Sequence, residues 1–95
     1  MWASVRRYQE NPKLAERLAS RGDEIKALIS ATPGFVSYYL IHDGSDTVSV
    51  TVAQDQAGVD RSNEIAANWL REHASDVPSS PPQITEGEVL ITTSG

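Results

Sequence analysis

Arg6, Ser37, Tyr39 and Ser49 each occupy alternating positions of segments that read as strands. A strand phase that brings them to one sheet face gathers a guanidinium, a phenol and two hydroxyls. Such a set can hold a carboxylate, phenolate or quinone oxygen by charge-assisted hydrogen bonds. Arg6 can equally pair with an acid of a second chain, such as Glu86 or Glu88. Trp69, in a helical stretch, reads either as a core anchor or as a flat wall for an aromatic ligand, and the two roles are compatible. His42 and His73 are the only histidines. With no His-X-His or H-E-x-x-H spacing, no metal site is expected. His42 borders a hairpin and should be exposed. His73 lies near a helix C-terminus, where the dipole favours it, and becomes a titratable base for a pocket only if its ring turns inward. Asp43, Asp46, Asp55 and Asp60 flank turns and helix starts, where capping explains them.

Other chemistries are excluded by what is missing. The chain has no cysteine, so disulfides, thiolate metal sites and thiol nucleophiles drop out. No G-x-S-x-G elbow, P-loop or dinucleotide glycine pattern occurs, which leaves hydrolase, nucleotide and NAD readings without support. The formal charge is −5, and the basic residues Lys13, Arg17, Arg21 and Lys26 alternate with acids. That pattern describes a solvated helix face, so neither a nucleic-acid partner nor a membrane surface is expected. The start of the chain, Met1 to Arg7, lacks the apolar core of a signal peptide, and no run approaches the roughly 20 apolar residues that span a bilayer. The expectation is a cytoplasmic protein. Its 95 residues suit a single domain over 1–95.

The elements that must position these side chains are legible from spacing. Residues 2–8 read as a first strand. Asn11 then caps a helix with Pro12 at its first position, and Leu14, Leu18, Ile25, Leu28 and Ile29 carry an amphipathic stripe to about Ala31. Gly22 falls inside that helix, where it costs about 1 kcal/mol relative to alanine. Thr32-Pro33-Gly34-Phe35 is a turn, with proline and glycine at the positions a type II turn demands. Residues 35–42 and 46–54 form two antiparallel strands joined by the hairpin chemistry of Asp43-Gly44-Ser45. Asp55 or Asp60 caps a helix to about Ala74 with an inward stripe of Val59, Ala66, Trp69 and Leu70. Prolines 78, 81 and 82 make residues 76–83 a loop, and residues 84–93 read as the last strand.

The order β-α-β-β-α-β is the ferredoxin-like arrangement, an α+β fold with a four-stranded antiparallel sheet and two helices on one face. We assign Val48, Val50 and Val52, with Val36, Tyr38, Leu40, Val89 and Ile91, to the face beneath the helices. The opposite face then mixes Trp2, Phe35, Tyr39, Ile41 and Leu90 with Ser4, Arg6, Ser37, Ser49 and Thr51. So large an exposed apolar patch marks an interface, and its polar members suit a cavity. The covering sheet must come from a second copy, which predicts a homodimer paired through the sheet face.

The element order, the Thr32-Pro33-Gly34-Phe35 entry to the second strand, and a Val48–Val52 strand followed by a helix holding Trp69 resemble the antibiotic-biosynthesis-monooxygenase-like (ABM) group. These are dimeric α+β barrel proteins, and the resemblance spans nearly the whole chain. It implies sheet-to-sheet dimers with a pocket that takes a small aromatic ligand, and activities that include oxygenation without any cofactor and haem degradation. The haem-degrading pattern has an Asn on the first strand, with a Trp and a later His. Here Ser4 and Arg6 stand on that strand, and His73 follows Trp69 by one helical turn. The quinone-forming pattern has an Asn, a Trp and a Tyr; here Asn68 and Trp69 are adjacent and no tyrosine follows. The resemblance therefore implies a cofactor-independent, monooxygenase-like enzyme, or a non-catalytic homodimer that binds a small molecule or serves as an accessory protein. The residues assigned to the ligand are Arg6, Ser37, Tyr39, Ser49, Trp69 and His73.

Overall fold

The computed structural model describes residues 1–77 and 81–93. Its elements are β1 (Trp2–Tyr8), α1 (Pro12–Ser20), α2 (Gly22–Ser30), β2 (Phe35–His42), β3 (Thr47–Ala53), α3 (Gln56–His73) and β4 (Gln83–Glu88). The strands form one antiparallel sheet in the order β2-β3-β1-β4, the ferredoxin-like topology, with the helices over one face. The loop read over residues 76–83 falls partly outside the described residues.

Local signals act as their chemistry requires. The Asn11 side chain accepts from the Leu14 amide at 3.3 Å, and Asp55 accepts from Gly58 N at 3.0 Å. Gly34 adopts φ +72° and Phe35 N donates to Thr32 O at 3.1 Å, closing the turn into β2. In the β2–β3 hairpin Asp46 N donates to Asp43 Oδ1 at 2.7 Å, and Arg7 grips Asp46 at 2.7 Å from the neighbouring strand.

Two elements differ from expectation. The first helix is two helices, meeting at Arg21, whose φ of −116° and ψ of 29° leave the helical region. Leu18 and Ile25 are seven residues apart, a spacing that keeps both on one stripe with or without the break. Hydrophobic periodicity therefore does not register it. The last strand stops at Glu88 rather than Thr93 because its partner ends: Glu88 pairs with Trp2, and only Val89 N, donating to Met1 O at 2.8 Å, reaches further. Beyond that point Leu90 and Ile91 are exposed.

The larger correction concerns the two faces of the sheet. The registers Arg6↔Ser49, Ser4↔Thr51, Leu40↔Ser49 and Tyr38↔Thr51 place these residues together on one face. Ser4, Arg6, Tyr8, Thr47, Ser49 and Thr51 are all buried, so this is the face beneath the helices. Val48, Val50 and Val52 point the other way, with Ala3, Val5, Tyr39 and Ile41; no helix packs on this face, where Tyr39 and Ile41 are exposed, Val5, Val50 and Val52 half-buried and Val48 buried by its neighbours. A β-bulge between Phe35 and Ser37 shifts the phase of β2, so Phe35 falls on the side of Tyr38 and Leu40 rather than of Tyr39. The sheet is thus polar where it is covered and apolar where it is open. The helices supply the grease that the inner face lacks, through a core of Leu14, Leu18, Ile25, Ile29 and Trp69 against Tyr8. Of the rings expected on an outward face, Tyr39 is 58% exposed, whereas Trp2 and Phe35 are half-buried on the helix side.

Candidate functional site

Between β1, β3, β2 and the helices lies a narrow cavity of about 30 Å³. Arg6, Tyr8, Tyr38 and Ser49 form its polar end, and Leu18, Ile25, Ile29, Ile65, Leu70 and Trp69 wall the rest. As it stands the space suits one or two waters. Leu18, Ile25 and Tyr38 also border an apolar surface groove of about 230 Å³, which runs beside the α1–α2 break past Gly22, Lys26 and Leu40.

Arg6 is the centre of the polar end, only 3% exposed. Its Nη1 donates to Asn63 Oδ1, which also accepts from Ser4 Oγ at 3.0 Å. Asn63 in turn donates through Nδ2 to Glu86 Oε1 at 3.2 Å. Arg6 Nε, Ser49 Oγ, Thr51 Oγ1 and Trp69 Nε1 are buried and make no hydrogen bond among the described residues. A buried polar atom without a partner costs about 1–3 kcal/mol, so three such residues around one small space, Arg6, Ser49 and Trp69, call for a reason.

The tyrosines beside Arg6 stay neutral. Burial raises the Tyr8 phenol above its ordinary value, against an opposing pull from the Arg6 charge and hydrogen bond. Burial raises Tyr38 as well, again opposed by Arg6 and reinforced by Tyr8. At the edge of the site, burial and then the hydrogen bond and charge of Asp60 push the Glu86 carboxyl upward, with Gln56 and Asn63 pulling the other way. Trp69 is clamped on its far side, with the Arg21 guanidinium 5.9 Å from its ring centre and the His73 ring at 5.0 Å.

Of the residues singled out from sequence, Arg6, Ser49 and Trp69 meet at the cavity. Ser37 and Tyr39 do not: the register Ser37↔Val52 and Tyr39↔Val50 puts them on the open valine face, and Tyr38 takes the place expected for Tyr39. His73 lies behind Trp69, with Nε2 at 3.7 Å from Glu72 and 4.0 Å from Glu24, and does not line the cavity. Glu86 belongs to the Arg6 side of its own sheet, linked through Asn63 rather than supplied by a second chain. Asn63, Tyr8 and Tyr38 were missed. A signal for Asn63 exists in the sequence: it falls with Ser62 between Val59 and Ala66, a polar interruption of the inward stripe of α3. Among the described residues no three His, Asp or Glu side chains converge to hold a metal ion.

Solved structures with this architecture supply the comparison. The protein of unknown function NE2512 from Nitrosomonas europaea superposes with a TM-score of 0.76 at 26% identity, over 99% of this chain and 93% of that one. A putative antibiotic biosynthesis monooxygenase from the same organism gives a TM-score of 0.73 at 11% identity, over 96% of this chain and 100% of its own. SnoaB, a cofactor-independent oxygenase from Streptomyces nogalater, gives 0.64 at 21% identity, over 96% of this chain and 94% of its own. This chain has the ABM fold. No family model and no curated protein matches the sequence. Within that fold, Arg6 on the first strand and Trp69 on the last helix line the cavity behind the sheet, with Ser4 and Asn63 bonded beside Arg6.

Proposed function

We propose that this ABM-like protein binds a compact aromatic molecule between its sheet and helices and acts on it as a cofactor-independent monooxygenase. The observation that carries the reading is the set of unpartnered Arg6, Ser49 and Trp69 polar atoms around a cavity otherwise walled by apolar side chains. Polar groups left unpaired inside a fold are stabilising only when a ligand completes them. The polar end grips an oxygen of the ligand; the flat body lies along Trp69 and extends into the groove past Leu18 and Ile25 once those side chains give way. The reaction class needs no bound reductant. An electron-rich substrate supplies the electrons, one atom of O2 converts a ring CH2 to C=O, and the other leaves as water. Ser37 and Tyr39, on the open face, belong instead to the surface where a second copy packs, and the homodimer is part of this proposal. So is a cytoplasmic setting; among the described residues no helix is long and apolar enough to cross a membrane.

Oxygen uptake by metal-free protein with a panel of hydroquinones and anthrones tests the activity, with consumption above buffer expected and none contradicting it. One observation favours the non-catalytic alternative, a homodimeric binding or accessory protein. His73 is outside the cavity, burial raises both phenols, and no histidine or carboxylate is among the residues that line the space to serve as a base. Ligand binding without oxygen uptake is the result that reading expects.

A further inference from the structure

We propose that the cavity takes its ligand as an anion on Arg6, and that Asn63 is the positioning residue that keeps the arginine's charge available. The inference rests on the reading that the cavity holds a ligand, but not on that ligand being oxidised.

Four arginines, Arg7, Arg17, Arg21 and Arg61, sit at the surface against Asp46, Asp76, Glu24 and Glu64, at 2.7 to 2.9 Å. Arg71 is exposed to water and donates to Asn68. Arg6 is the buried one, and among the described residues no carboxylate lies within 4.0 Å of it. The nearest acid in its network, Glu86, is held off by one side chain. Asn63 stands between them, its amide nitrogen donating to Glu86 and its carbonyl accepting from Arg6 and Ser4. An aspartate at 63 could accept the same two bonds and would neutralise the guanidinium. The amide fixes its direction and leaves its charge.

What remains open on Arg6 is Nε, and across the β1–β3 register stands Ser49 with its own unpartnered Oγ. Tyr8 and Tyr38, raised by burial, can donate hydrogen bonds here but bring no negative charge at neutral pH. A buried cation lacking a counter-charge is strongly unfavourable, and a deprotonated oxygen accepting from Arg6 Nε–H and Ser49 O–H supplies one. The ligand class is a monoanion on a flat apolar body: a phenolate, enolate or aryl carboxylate.

The test uses the full chain under nitrogen, with para-nitrophenol as the probe and para-nitroanisole as its neutral methyl ether. Binding should draw the phenol to its yellow phenolate below the pH at which it ionises free, and the ether should bind about tenfold or more weakly. The decisive variant is the exchange Asn63→Asp with Glu86→Gln. It preserves formal charge and hydrogen bonds, and only moves the carboxylate next to Arg6. Phenolate affinity should fall about tenfold, the colour change should vanish, and ether binding should hold. Should the exchanged protein fail to fold, Arg6→Gln is to give the same loss. Equal affinity for phenol and ether, or full phenolate binding by the exchanged protein, overturns the inference and leaves the cavity a ligand site. Binding of neither probe overturns the inference together with the reading it rests on.

Discussion

The two faces of the sheet reverse the usual rule. On the face beneath the helices the central strands carry Ser4, Arg6, Thr47, Ser49 and Thr51, all at 3% exposure or less. On the open face the same strands carry Ala3, Val5, Val48, Val50 and Val52, with Tyr39 and Ile41 alongside. A fold seeking only stability would turn the valines inward, because burying apolar area is the main favourable term and buried hydroxyls need partners. Some of the inner polar groups have them. Thr47 Oγ1 donates to Asn11 O at 2.7 Å, tying β3 to the start of α1, and Ser4 donates to Asn63. Others, Ser49 and Thr51, have none. The difference is what the proposed reading requires: a guest that completes the inner polar groups and a second copy that covers the outer valines.

Breaking the outer face should have the largest effect. Val50 lies at its centre, paired with Val5 and Tyr39. Light scattering of the parent protein at micromolar concentration should give twice the protomer mass, and Val50→Glu should give the protomer mass alone, since an unpaired buried charge is not tolerated in an apolar interface. A parent that is already monomeric, or a variant that stays paired, removes the outer half of the comparison.

The closure of the inner face depends on a close approach at Gly58. A Cβ built there would stand 2.7 Å from Ala53 Cβ and 2.7 Å from Pro33 O, the latter a backbone atom with little freedom to retreat. Gly58→Ala should therefore lift the start of α3 from β3 and cost about 1–3 kcal/mol. Thermal unfolding would register this as a drop of about 4–8 °C per kcal/mol. Retention of parental stability would show that α3 is less firmly seated on the inner face than these contacts require.

Most of the frame was legible in the residues themselves. Asn11, Asp55, the Thr32–Phe35 turn and the Asp43–Ser45 loop act through bonds a few residues long, so sequence alone carries them. Tyr38 and Leu40 were placed beneath the helices, where they lie, but the inward faces of β1 and β3 and the side of Phe35 were not legible, for two physical reasons. The bulge at Val36 moves the phase of β2 by one residue without any glycine or proline to announce it. The valine alternation of β3 obeys a rule about burial but cannot say what does the burying, and here no helix lies over it. The candidate site suffered accordingly. Arg6, Ser49 and Trp69 were found because their chemistry stands out, whereas Tyr39 was chosen over Tyr38 because the phase was inverted. Asn63 acts entirely through contacts to residues 57 and 59 positions away and to Glu86 across the chain, which only the folded molecule brings together.

The smallest effect is the most direct test of the claim that the inner face is built for binding. Ser49→Ala with Thr51→Val deletes one unpartnered buried hydroxyl and replaces the other by a methyl group of similar size. Denaturant unfolding of the ligand-free protein should show the doubly substituted chain more stable by about 1–2 kcal/mol, with weaker binding of para-nitrophenol. A loss of stability would mean that those hydroxyls serve the core, and would contradict the account.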